Sequence, residues 1–229
     1  MFFHWLNGYE VKRKRLLKKA PPGALKEFLS TPFPQPSTPI VDVPMLSVDF
    51  ETTGLNARKD KLLSVGFVNV DKNQIRLASC YHQIINTTGD LQASNVVIHQ
   101  ITDDIKNQGL PLKMVIDDLL IALSGKVMVV HFARIEKQFL QQACLELYGL
   151  VPAFPIIDTL AIAKRRLDKS DTPYHPSQLR LSALRENYAL PRHHPHNALS
   201  DAIATAELLM AQISTSTSGH HQPLKNILL

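Results

Sequence analysis

An α/β fold, with helices packed against a mixed sheet, is what this sequence predicts. Three observations carry the prediction. Three apolar, β-type runs come first in the chain, the last two joined by a tight turn. Strand and helix patterns then alternate from about residue 112 onward. A chain of 229 residues with 45% apolar content can fill one core of that size.

The strands are expected at 44–50, 61–71 and 74–85, with Asp71, Lys72 and Asn73 as the turn of a hairpin. A helix at 112–123 stops at Ser124 and Gly125, and a strand follows at 126–130. The next helix, 134–148, meets Gly149, a residue suited to a left-handed C-terminal cap. A strand at 154–158 leads into another helix for which Asp158 is the N-cap candidate. Helices at 177–188 and 198–213 complete the domain, with Pro191 and Pro195 between them. The expected division is therefore a basic arm and Pro-rich linker over 1–40, a folded domain over 41–213, and a flexible tail over 214–229. Within the arm, 23–29 reads as a short helical stretch. Four prolines between 32 and 39 read as extended linker, since proline excludes helix at its own position and disfavours it one residue earlier.

No run of about eighteen apolar residues is present, so no membrane span is expected. The apolar start is too short for a signal peptide, and its basic residues follow it instead of preceding it. Cys80 and Cys144 lack metal-type spacing and are expected as core residues in a reducing cytoplasm. Charge is unevenly placed. Residues 1–40 hold seven Lys/Arg and two Glu, which accounts for the whole formal excess of +5. The run from Lys12 to Lys19 would either neutralise nucleic-acid phosphates or pack on an acidic neighbour.

Asp49 and Glu51 stand one residue apart at the end of the first strand, before Gly54. Residues i and i+2 of a strand share a face, so the two carboxylates project together. Like charges that close repel unless a cation lies between them, and an all-oxygen donor set suits magnesium or manganese. A solvated strand end is the plain alternative for this pair. Two later features extend the pattern. The run His131-Phe-Ala-Arg-Ile-Glu136 places an acid in the first turns of a helix after a strand, and His196-Asn-Ala-Leu-Ser-Asp201 sets a His five residues before an acid.

Acid pair, third acid, then His and final acid, over roughly residues 44–213, resemble the DEDDh branch of 3'-5' exonucleases, the branch of RNase T and the proofreading epsilon subunit of bacterial DNA polymerase III. Shorter landmarks agree: the second strand from Asp60 to Gly66, the stretch from Ile98 to Thr102, and Ile157 to Leu160. The resemblance implies an RNase H-like fold with a five-stranded sheet. It implies a two-ion (Mg²⁺ or Mn²⁺) hydrolysis at the 3' end of DNA, single-stranded ends preferred, releasing nucleoside 5'-monophosphates. Asp49, Glu51, Glu136 and Asp201 would hold the ions. His196 would act as general base on the attacking water, a task suited to an imidazole of ordinary pKa. Thr52, Thr53, Gly54 and Leu55 would cradle the terminal nucleotide, with His99 nearby, although a core role for Leu55 and a structural role for His99 fit as well.

Two departures bear on this. The family's third acid is usually Asp and here is Glu136, and Phe132 replaces a polar Asn. An RNA-trimming enzyme is therefore an alternative, as is a nucleic-acid-binding or adaptor module that has lost turnover. Arg134, Lys137 and Arg192 would meet phosphates or simply be solvated. A replication or repair partner would dock through the arm or through the tail, whose last eight residues loosely resemble a bacterial clamp-binding peptide.

Overall fold

In the computed structural model, which describes residues 3–88, 101–170, 173–216 and 219–229, six strands form one sheet in the order β4-β3-β2-β1-β5-β6. They are β1 (Met45–Thr52), β2 (Leu62–Asp71), β3 (Gln74–Asn86), β4 (Leu110–Pro111), β5 (Val127–Val130) and β6 (Ile156–Asp158). The first three strands are antiparallel, and β5 and β6 continue the sheet in parallel with β1. All five expected strands are present. The sixth, β4, pairs with β3 over two residues ending in proline, too short to show any alternation in sequence. Lys72 and Asn73 both adopt left-handed φ, 49° and 56°, as a two-residue hairpin loop requires.

Eight helices accompany the sheet among the described residues: α1 (Phe3–Leu17), α2 (Ala24–Ser30), α3 (Asp103–Asn107), α4 (Leu112–Leu123), α5 (Arg134–Tyr148), α6 (Thr159–Lys169), α7 (Leu181–Asn187) and α8 (Ala198–Ser214). Gly149 caps α5 in the left-handed conformation, φ 66°. The helix expected over 177–188 is split into a 3-10 turn, Pro176–Leu179, and α7. Arg180 between them is extended, and the Leu179 carbonyl faces the His131 ring at 3.0 Å.

Alternation in β1 sorts its side chains between two cores. Leu46, Val48 and Phe50 join a cluster with residues of α2, α4 and α5. Met45 lies on the other face, with residues of α8 and the C-terminal segment. Ser47 shares that second face and donates its hydroxyl to the Ala202 carbonyl of α8 (2.6 Å). Asp49 and Glu51 follow in the same phase, which turns them toward α8.

Residues 1–40 do more than an arm and linker would. Leu16, Leu25, Phe28, Leu29 and Phe33 are buried in the main core. Arg13, in the middle of the basic run, is itself buried: it pairs with Glu10 (2.9 Å) and donates to the Leu29 carbonyl, tying α1 to α2. The apolar positions of this region recur at helical spacing, but seven cationic side chains dominate its composition. The expected tail is likewise packed. Leu224 and Ile227 are buried, and the backbone N–H groups of Leu224 and Lys225 donate to the carbonyls of Thr38 and Pro36. The prolines of this segment cannot donate, yet the Pro36 carbonyl accepts, so the Pro-rich segment can receive the N–H groups of the 3-10 turn at Leu224–Asn226. Cys144 is buried as expected, whereas Cys80 is exposed. It lies where β3 bulges away from β2, between the pairs Phe67–Tyr81 and Asn69–Arg76.

Candidate active site

The acids meet at the C-terminal end of β1. Carboxylate oxygens of Asp49, Glu51 and Asp201 lie within 4.8 Å of one another. The first two arrive on one strand, and Asp201 comes from the first turn of α8. That helix can approach because β2 carries Gly66 directly opposite Asp49. A Cβ at Gly66 would stand 2.2 Å from the Ala198 carbonyl carbon and the Leu199 nitrogen, so no side chain fits beneath the helix start. Ala198 and Ala202 are fully buried on the helix side of the same contact. Asn197 caps α8 by accepting from the Ser200 N–H (3.0 Å).

Glu136 approaches from α5 and is buried, with Oε2 lacking any hydrogen-bond partner. The loop that aims it is fixed by Asp158. One carboxylate oxygen of Asp158 accepts the N–H groups of Phe132 (3.0 Å) and Leu160 (2.9 Å), and the other accepts that of Ala133 (3.0 Å). Asp158 is thus the expected N-cap of α6 and also the clamp on the entry to α5. Phe132 is held at φ 71°, uncommon for a bulky residue, and is 43% exposed. His131 is structural: its ring lies between Thr159 Oγ1 (2.9 Å) and the Leu179 carbonyl (3.0 Å). Burial pushes its pKa down, against the opposing pull of Asp158 and the carbonyl.

Burial and mutual repulsion both disfavour the charged forms of these acids. Burial raises the Asp49 carboxyl well above the usual range, and the charges of Glu136, Asp201 and Glu51 raise it further. Burial pushes Glu136 up to about 8, with Asp158 and Glu51 adding to the rise. Asp201 is raised by burial despite the His196 N–H (2.8 Å) and His193, both of which favour its charged form. Four oxygen-donor groups, one with an orphaned buried oxygen, fit hard divalent ions.

The histidine expected at the site does not stand alone. His196 is exposed, has left-handed φ (67°), and gives its backbone N–H to Asp201. His193, which spacing passed over, places Nε2 3.0 Å from the other Asp201 oxygen. Burial lowers the His193 pKa, outweighing its attraction to Asp201. Buried Arg185 holds this His-bearing loop to the helices by donating to the carbonyls of Pro191 and Ala204 (2.7 Å each).

The expected nucleotide cradle is a hydrogen-bonded turn. The Thr52 hydroxyl donates to the Gly54 carbonyl (2.7 Å), and Thr53 Oγ1 accepts the Lys61 N–H (2.9 Å). Gly54 leaves room for Asp60, whose carboxylate would lie 2.6 Å from a Cβ there. Leu55 is 72% exposed, which removes the core reading for it. His99 falls outside the described residues.

Mixed sheet, acid cluster and approaching helix define a nuclease-type site. The sequence model of the RNase T family, described as Exonuclease, matches residues 46–209, and the chain belongs to that family. It is 28% identical over 181 residues to the DNA polymerase III subunit epsilon of Treponema pallidum, covering 78% of this chain and 81% of that one. It is also 28% identical over 169 residues to the PolC-type DNA polymerase III of Thermotoga maritima, but there it spans only 12% of the relative's length. Among solved structures, Exonuclease X in complex with 5' overhanging duplex DNA superposes with a TM-score of 0.60 at 21% identity, covering 80% of this chain and 98% of the other. The cell-death related nuclease 4 structure gives 0.63 at 18% identity, covering 75% and 63%. These neighbours share the RNase H-like fold.

Proposed function

We propose that this chain is a divalent-metal-dependent 3'-5' exonuclease that trims DNA from single-stranded 3' ends and releases nucleoside 5'-monophosphates. The observation that carries the reading is the convergence of Asp49, Glu51 and Asp201 within 4.8 Å, beside buried Glu136. These four residues would hold Mg²⁺ or Mn²⁺. Two such ions supply charge neutralisation at the phosphate and stabilisation of the leaving alkoxide. His196, exposed at the lip of the cluster, would take the proton from the attacking water. Its left-handed backbone and the bond from its N–H to Asp201 set the ring's starting point relative to the acids. No helix among the described residues is long and apolar enough to cross a membrane, and a cytoplasmic site of action is part of this proposal.

The test is a gel assay of end-labelled single-stranded DNA and RNA. Cleavage from the 3' end of DNA should stop in EDTA and return with Mg²⁺ or Mn²⁺. Activity that persists in chelator would remove the metal mechanism, and a preference for RNA would move the substrate. His196→Ala should lower turnover by roughly 10²–10⁴-fold. Wild-type turnover in that variant, with loss in His193→Ala instead, would transfer the role to His193.

The basic face of α1 yields a prediction with a sign. Half-buried Lys12 has its pKa lowered by burial and by the nearby charges of Arg15 and Lys137. Like charges gathered this way favour a polyanion. Deleting residues 1–40 would remove core side chains, so the charge must be tested by substitution. Lys12→Gln with Arg15→Gln should weaken DNA binding and flatten its salt dependence, by roughly 0.7–0.9 in log–log slope per lost contact. An unchanged slope would assign the face to a protein partner.

A further inference from the structure

A cleft of about 770 Å³ opens between the loop after β1 and the outer face of α5. One wall presents Leu55 and Arg58, and the other presents Arg134, Gln138, Gln142 and Leu145. The α5 residues recur at helical spacing on one side, while Glu136, Phe139, Leu140 and Ala143 are buried on the other. Both walls are continuous with elements that carry the acids: the loop leaves β1 just after Glu51, and Arg134 stands two residues before Glu136.

The loop wall is built, not slack. Asp60 accepts the Asn56 N–H (2.7 Å), and Asn56 Oδ1 accepts the Arg58 N–H (3.1 Å). Asp60 is the single carboxylate among the lining residues, and this turn already engages it. Arg58 and Arg134 form no ion pair among the described residues, which leaves two guanidinium groups facing the cleft. Guanidinium groups are suited to phosphate oxygens, and glutamine amides to base edges. Exposed Leu55 and Leu145 add apolar surface for sugars and base faces. The volume lies within the ~300–1,000 Å³ of ordinary ligand sites.

We infer that this cleft seats the single strand immediately upstream of the 3'-terminal nucleotide, with Arg58 and Arg134 holding its phosphates. The inference rests on the nuclease reading and gives the site its reach along the strand. KM should therefore fall as the substrate lengthens, until the cleft is filled.

The experiment compares wild type with Arg58→Ala/Arg134→Ala on DNA oligonucleotides of increasing length and on the p-nitrophenyl ester of thymidine 5'-monophosphate, which has no upstream strand. The ratio of KM for a long oligonucleotide to KM for the ester should rise at least about tenfold in the variant. Arg58→Lys/Arg134→Lys should recover part of it, because charge returns without the planar fork. Fluorescence anisotropy in EDTA reads the same strand without turnover and should show the same loss of affinity. An unchanged KM ratio, or equal DNA affinity in EDTA, overturns the cleft assignment. If the wild type cleaves no substrate, the nuclease reading falls, and the anisotropy comparison still decides the cleft.

Discussion

Glu136→Gln should remove cleavage and at the same time stabilise the metal-free protein at mildly alkaline pH. The carboxylate is buried, its Oε2 has no partner, and its pKa is raised to about 8. A folded-state pKa above the unfolded value means the native state holds the proton more tightly. That contribution to stability is fully present below the ordinary carboxylate pKa and is lost as pH rises through about 8. Denaturant unfolding in EDTA should therefore show wild-type stability falling between pH 5 and pH 9, by on the order of a few kcal/mol. In Glu136→Gln the fall should be markedly smaller. Mg²⁺ should restore wild-type stability at high pH and do little for the variant. Glu136→Asp should keep measurable activity, since the charge is retained on a shorter stem. A fully active Glu136→Gln variant would take this residue out of the metal site. An unchanged pH profile would show that the burial of its charge costs nothing.

The second large effect belongs to a residue with no side chain. Gly66→Ala puts a methyl group 2.2 Å from the backbone of Ala198 and Leu199, far inside contact distance, and the obstruction is main chain that cannot rotate away. The start of α8 must move outward, carrying Asp201 and His196 with it. Overpacking of this kind costs ~1–3 kcal/mol, and a misplacement near 1 Å at a reacting centre is worth about 10²-fold in rate. Lower thermal stability, weaker Mg²⁺ affinity by calorimetry and a collapse of kcat should appear together. A Gly66→Ala enzyme of normal stability and rate would show that β2 and α8 are not packed this closely.

Features governed by local rules were legible in the sequence. Asp49 and Glu51 share a face because β-strands alternate, Gly149 and Asp158 end and begin helices for reasons of backbone geometry, and Lys72-Asn73 turns a hairpin. What the sequence hid is long-range. The register of Glu136 left both sides of α5 open, and burial chose the inner one. Gly66 reads as an ordinary strand glycine until α8 is laid over it. Spacing favoured His196 and was silent about His193, whose contact with Asp201 depends on the path of a Pro-flanked loop tied down by Arg185. Cationic side chains concealed the core-facing side of α1, and a strand bulge carried Cys80 outward against its expected burial.

The pairing of the chain's two ends has a consequence for its stability under attack. Pro39 and Pro223 form a bridge, the Ile40 N–H donates to the Gln222 carbonyl, and the Leu229 N–H donates to that of Ile156. Segments far apart in sequence therefore open together or not at all. A protease that nicks either one strips hydrogen bonds and apolar cover from the other, so limited digestion should give an intact chain or general breakdown, with no trimmed intermediate that outlasts it. The 46–209 stretch that matches the family is held, from outside its own boundaries, in a clasp made of one strap from each end.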